Sequence, residues 1–115
     1  MLEELSAKVR SGEINPIDLV NESLRRIEAA RPLNAVVAVY ADEARSLATS
    51  HPRTGALAGL PFLVKDMARV KGHVTTSGSV LYANGATDEV DDSVVSRLRE
   101  AGAIIIGRSN SPEFG

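Results

Sequence analysis

The chain has 115 residues, the length of one small domain, and a formal net charge of −2 that gives no electrostatic case for nucleic acid or an anionic membrane. At 43% hydrophobic and 24% charged residues it reads as globular, yet no apolar run approaches the roughly 20 residues that span a bilayer. It has no cysteine, which excludes disulfides and thiolate metal sites and fits a cytoplasmic protein, and His51 and His73 are too isolated for a metal-ligand pattern.

The start, Met1 to Leu5, is acidic and lacks the basic and apolar regions of a signal peptide. Leu2, Leu5 and Val9 make a stripe that predicts a short helix over residues 1–11, stopped at Gly12. Asn15 and Pro16 signal a second start, and Ile17, Val20, Leu24, Ile27 and Ala30 predict an amphipathic helix closed by Pro32. Asn34 to Tyr40 is β-rich and predicts a strand, Ala41 to about Thr49 a helix, and residues 51–55 a turn. Leu60 to Lys65 reads as a strand buried on both faces, followed by a Gly/Thr/Ser-rich strand-and-loop excursion from Met67 to Ala86. Asp91 or Asp92 can cap a helix over residues 93–101, with Val94, Val95, Leu98 and Ala101 as its stripe and Gly102 as its stop. Ala103 to Ile106 then reads as a buried strand ended by Gly107, and Ser111-Pro112 as the opening of a further helix. Helix, glycine turn and apolar strand are half of a βαβ crossover, so the fold class is α/β with a mixed or parallel sheet. Phe62, Phe114, Tyr40 and Tyr82 are the only Phe, Tyr or Trp residues, so the core must be built mainly from Ala, Val, Leu and Ile.

Three places could carry chemistry. Lys65 closes an apolar run, and taking an ammonium out of water favours the neutral amine, which is a base. The plainer reading is a surface lysine paired with Asp66 or Asp91. Thr75-Thr76-Ser77-Gly78-Ser79 could offer hydroxyls and backbone amides to a substrate carbonyl or phosphate, or simply bond its own backbone; it lacks the Lys-Ser or Lys-Thr ending of a P-loop. Asn110, Glu113 and Phe114 lie past the carboxyl end of the last strand, where an open sheet places a substrate-side loop, or else they belong to a self-capped helix start. His73 has no partner at a telling spacing and reads as a surface histidine.

Taken together these segments resemble the amidase signature family. Gly59-Leu60-Pro61-Phe62-Leu63-Val64-Lys65-Asp66, then Thr75 to Ser79, Asp91 to Gly107 and Ser109-Asn110-Ser111-Pro112-Glu113-Phe114 follow its pattern in order and spacing. The helix from Pro16 to Ala30 and Leu33 to Val37 look like its N-terminal elements. Arg108 and Ser109 stand where the family tends to have Lys and Thr. The resemblance implies an incomplete amidase signature fold, with N-terminal helices plus the first part of a mixed α/β/α sheet. Residues 1–115 would form the front of a single domain, 1–50 as a helical lead-in and 57–115 as the start of the α/β core.

It implies amide C–N hydrolysis by a Ser–cis-Ser–Lys triad in which Lys65 is the base, with Asp66, Ser77, Gly78 and Ser79 in support. Both serines and the oxyanion hole belong to a Gly/Ser-rich segment that follows in the family pattern, so these 115 residues alone are expected to be inactive. No metal or organic cofactor is implied. The partner would be a small amide, with a homodimer or amidotransferase subunits also compatible. Two further readings stay open: the glutaminase-type A subunit of an aminoacyl-tRNA amidotransferase, and a non-catalytic α/β module in which Lys65 is structural.

Overall fold

The computed structural model describes residues 2–78 and 85–110. Within them the chain forms α1 (Leu2–Arg10), α2 (Pro16–Ala29), a 3-10 turn (Arg31–Leu33), β1 (Val36–Val39), α3 (Ala41–Thr49), β2 (Pro61–Lys65), α4 (Ser93–Glu100) and β3 (Ile104–Ser109). The strands form one mixed sheet in the order β1-β3-β2, with β3 antiparallel to β1 and parallel to β2. The β2–α4–β3 passage is therefore the predicted parallel crossover. The lead-in helices also bring β1, which pairs directly with the last strand.

Ile104 and Ile106 pack with Val20 and Leu24 of α2 and Ala44 and Ala48 of α3. Ile105 lies on the other face of the sheet with Val64, Val70 and Val95. Alternation along one strand thus joins two cores, and helices cover β3 on both sides. Among the described residues the buried core is built from Ala, Val, Leu and Ile, with Pro16 also buried.

Several elements depart from the sequence expectation. Leu2 and Val94 sit on predicted apolar stripes but are exposed, because α1 buries Ser6 and Val9 and α4 turns Val95 inward. Asn15 and Asp92 occupy the N-cap positions of α2 and α4 without capping through their side chains. Each is taken by an arginine, Asn15 by Arg53 and Asp92 by Arg69. β2 is not buried on both faces: Val64 alone is buried, and Leu63 stays 38% exposed. The reason is its edge position, with β3 as its one ladder partner among the described residues. No strand occurs in the described part of the 67–86 excursion. Gly72 N–H donates to Asp88 O and Asp88 N–H to His73 O, both at 2.9 Å, so the base of that excursion is pinned.

Gly107 does not end the last strand. A Cβ there would lie 2.3 Å from Ala38 O, so glycine is what lets β1 approach, and the strand runs on to Ser109. Between the pairs Phe62↔Ile105 and Leu63↔Gly107 the register advances one residue on β2 and two on β3, a bulge. Because of it Arg108, which pairs with Val64, falls on the same face as Ile105.

Candidate active site at the carboxyl end of the parallel strands

The carboxyl ends of β2 and β3 meet where Lys65 pairs with Ser109. The ladder continues one step further, as Asp66 N–H donates to Ser109 O at 3.0 Å. The chain then turns sharply, with Met67 and Ala68 N–H both donating to Lys65 O. Lys65 and Asp66 therefore point to opposite sides of the sheet. Lys65 is exposed, and Asp66 is 3% exposed. The sequence expectation that Lys65 is withdrawn from water does not hold in this structure, because its side of the β2 edge is uncovered. Nor does it pair as the plainer reading had it: Asp91 is engaged by Arg99 and by Lys71 N–H, and Asp66 by other groups. Among the described residues the Lys65 ammonium makes no hydrogen bond or ion pair.

Asp66 is the floor of a buried polar cluster. Its Oδ1 accepts Thr76 N–H at 3.1 Å, its Oδ2 accepts the Thr76 hydroxyl, and Arg108 Nη1 lies 3.4 Å from Oδ1. Arg108 is 1% exposed. Its Nη1 donates to Ala68 O at 2.7 Å and its Nη2 to Thr75 Oγ1 at 3.0 Å, with Asp88 Oδ2 3.9 Å away. The Thr75 hydroxyl in turn donates to Asp88. A charged pair this deep is tolerable because nearly every donor and acceptor is met. In this region Arg108 Nε and the Tyr40 hydroxyl are buried without a hydrogen bond. Burial pushes the Tyr40 phenol up, opposed by the nearby Arg108 charge.

The cluster fixes the loop that carries Ser77 and Gly78. Thr76 is held on both sides by Asp66, and Gly78 N–H donates back to the Thr76 hydroxyl at 3.3 Å. Ser77 has φ +52, a left-handed backbone uncommon for a residue with a side chain. The fold thus brings Asp66, Ser77 and Gly78 to one corner, on the side of the sheet opposite the Lys65 side chain. Asn110 is held at the β1 edge, its backbone N–H donating to Ala35 O and its side-chain amide to Asn34 O. Ser79, Glu113 and Phe114, and the helix start at Ser111-Pro112, lie outside the described residues.

Two residues of this region were not legible in advance. Arg108 looked like a strand exit, and only the bulge turns it inward. His73 is not an unpartnered surface histidine: its ring stacks on Tyr40 at a centroid separation of 3.6 Å, and Nε2 lies 2.6 Å from Glu43 Oε2 on α3. Among the described residues no group of three or more His, Asp or Glu side chains could hold a metal. An apolar groove along β1, lined by Ile27, Ala30 and Val36–Val39, lies at the opposite edge of the sheet from Lys65.

The geometry has relatives. The chain is 39% identical to the A subunit of the glutamyl-tRNA(Gln) amidotransferase of Burkholderia mallei (strain SAVP1), over 98% of its own length but 24% of that protein. Its fold superposes on a bacterial aryl acylamidase of the amidase signature family with a TM-score of 0.86 and 32% identity, covering 95% of this chain and 24% of the other. The peptide amidase of Stenotrophomonas maltophilia gives a TM-score of 0.87 at 30% identity, over 98% and 25% of the two chains. The chain therefore spans about a quarter of the length of these proteins. The amidase family profile matches residues 18–115, from the first turn of α2 through the whole sheet, and the chain belongs to the amidase signature family.

Proposed function

We propose that Lys65 is the base of an amide hydrolase, and that residues 2–110 form the part of one amidase domain that presents it. In this reading the neutral amine takes the proton of a bridging serine. That serine deprotonates a second one, whose oxygen attacks the amide carbonyl carbon. The C–N bond breaks, the amine leaves with a proton, and water releases the acid from the acyl-enzyme. Both serines would come from the Gly/Ser-rich segment that follows in the family pattern. The observation that carries the reading is Lys65 itself, at the carboxyl end of a parallel pair of strands, where α/β sheets place ligands, with no counter-ion among the described residues. The Ser77–Gly78 corner and Asp66 support it from the other side of the sheet, and Ser79 and the 110–114 segment would complete the substrate side. The lack of cysteine fits the cytoplasm as the site of action. No helix of the described residues is long and apolar enough to cross a membrane.

The test is hydrolysis of an aryl and an alkyl amide by the full-length protein and by its Lys65→Ala variant. Loss of the base is expected to lower kcat at least about 100-fold. The urea midpoint should not move, since the replaced side chain is exposed. A variant retaining more than a tenth of the activity sinks the assignment.

A second reading, a glutaminase-type amidotransferase A subunit, is favoured by the 39% identity to such a protein from Burkholderia mallei. It expects ammonia release from glutamine that rises when the partner subunits are added, and little turnover of simple aryl amides.

A further inference from the structure

Lys65 is followed directly by a carboxylate, and a base beside a carboxylate is poorly served. A negative charge within about 4–6 Å favours the protonated ammonium and would hold Lys65 in the form that cannot accept a proton. The structure answers this by the way Asp66 is placed. Strand alternation turns it to the side opposite Lys65, and Arg108 meets it there with a full positive charge at 3.4 Å. Thr76 N–H and Thr76 O–H occupy its two oxygens.

We propose that Arg108 is a positioning residue for Lys65: by holding and neutralising the buried Asp66 carboxylate, it leaves the lysine amine without a counter-ion and so available as a base. The inference rests on reading Lys65 as the base. Arg108 makes no hydrogen bond or ion pair with Lys65 and acts on it through Asp66. Of the other charged and titratable groups around the pair, Asp92 feels the Arg108 charge while its carboxylate is held by Arg69. Asp88, from the loop before α4, lies 3.9 Å from Arg108 Nη2 and shares the Thr75 hydroxyl with it. Tyr40, at the end of β1, feels the Arg108 and Asp66 charges and is stacked on His73, which meets Glu43 of α3. None of these is a carboxylate adjacent to Lys65 in the chain.

The bulge matters here as well. Arg108 faces Asp66 because β3 carries one extra residue between Ile105 and Gly107. An unbroken alternation would put it on the α2–α3 face with Ile104 and Ile106, and Asp66 would lose its cation.

The experiment is competitive acetylation of lysine amines in the full chain with acetic anhydride, read by mass spectrometry across pH 7 to 10. Lys8 and Lys71 serve as internal references. This readout needs no turnover, so the proposal can fail while the hydrolase reading stands, and the reverse. In Arg108→Met, Lys65 acetylation near neutral pH is expected to fall about threefold to tenfold against the references, with its pH profile moved to the alkaline side. Arg108→Lys should keep most of the wild-type rate. Adding Asp66→Asn to Arg108→Met should restore it, because the uncompensated charge is gone; a purely structural role for Arg108 would give no such rescue. Asp66→Asn alone should change the rate less than twofold, its charge being already neutralised. No rescue by the double variant, or a change above threefold in Asp66→Asn alone, overturns the proposal. If Arg108→Met does not fold by circular dichroism, the Asp66→Asn arm decides.

Discussion

Lys65 and Asp66 are covalent neighbours on opposite faces of one strand end, and that separation is a property of single residues. Asp92 shows the same economy outside the core. Its Oδ2 accepts Arg69 N–H and its Oδ1 the Arg69 guanidinium, both at 2.7 Å. The backbone N–H first, and then the side chain, hold its carboxyl below the ordinary aspartate value of 3.8. A depressed carboxylate stabilises the fold above its unfolded value, and that contribution is lost as the pH falls through the lower folded one. A carbon-detected titration should therefore place the Asp92 midpoint below 3.8. Arg69→Ala should return it only part of the way, since the backbone donor remains. A wild-type midpoint at or above 3.8 would contradict the geometry. The local sequence marks Asp92 and Asn15 as helix caps, which is a statement about neighbouring chain. Their actual partners, Arg69 and Arg53, come from 23 and 38 positions away, and no local pattern encodes such a choice. The strand end that carries Lys65 was legible because it closes an apolar run, though the exposure of the lysine was not; the burial of Arg108 was not legible either, because it depends on one extra residue in a ladder.

Among the elements, the corner between α4 and β3 is the most tightly specified. Gly102 has φ +97, and a Cβ on it would lie 2.4 Å from Thr54 O and 2.9 Å from Ala58 Cα. The 51–59 turn is bound to this corner: Leu57 N–H donates to Ala101 O, Gly59 N–H to Gly102 O, and His51 Nε2 to Gly102 O. His51 also accepts Arg53 N–H at Nδ1, so its neutral ring carries the proton on Nε2. Gly102→Ala meets backbone on two sides as well as an unfavourable φ, and a loss of at least about 2 kcal/mol is expected in urea unfolding. A change within about 0.5 kcal/mol would mean the turn yields freely. Helices α1 to α4 were readable from period and punctuation to within two residues at each end. The strands were less so. A short apolar run does not say how many neighbours it will have, so β2 looked doubly buried, and a glycine looked like a stop where it permits close approach.

For the molecule as a whole, β3 carries both neighbours while β1 and β2 each show an open edge among the described residues. Leu63 on β2 and Val37 and Val39 on β1 face outward there. Unpaired edges flanked by apolar side chains invite association. The 115-residue chain is expected to sediment with a concentration-dependent mass at order 10–100 µM, and Leu63→Lys should shift it toward the monomer. A monomer of unchanged mass throughout that range would show the edges to be inert. The α/β fold class and the parallel β2–α4–β3 crossover were legible from the helix–glycine–strand order, whereas the antiparallel return of β1 onto β3, which makes the sheet mixed, was not, since nothing local links residues 36–39 to 107–109.

That central place of β3 has a consequence for synthesis. A ribosome makes the chain from its N-terminus, so the two outer strands emerge long before the one that joins them. Val36 waits for Ser109, and Pro61 for Ile104. Until then neither outer strand has its ladder partner, and the sheet cannot close before β3 is made. A pause in translation before Ile104 would leave a helical nascent chain with two unmatched strands exposed to whatever chaperone is at hand.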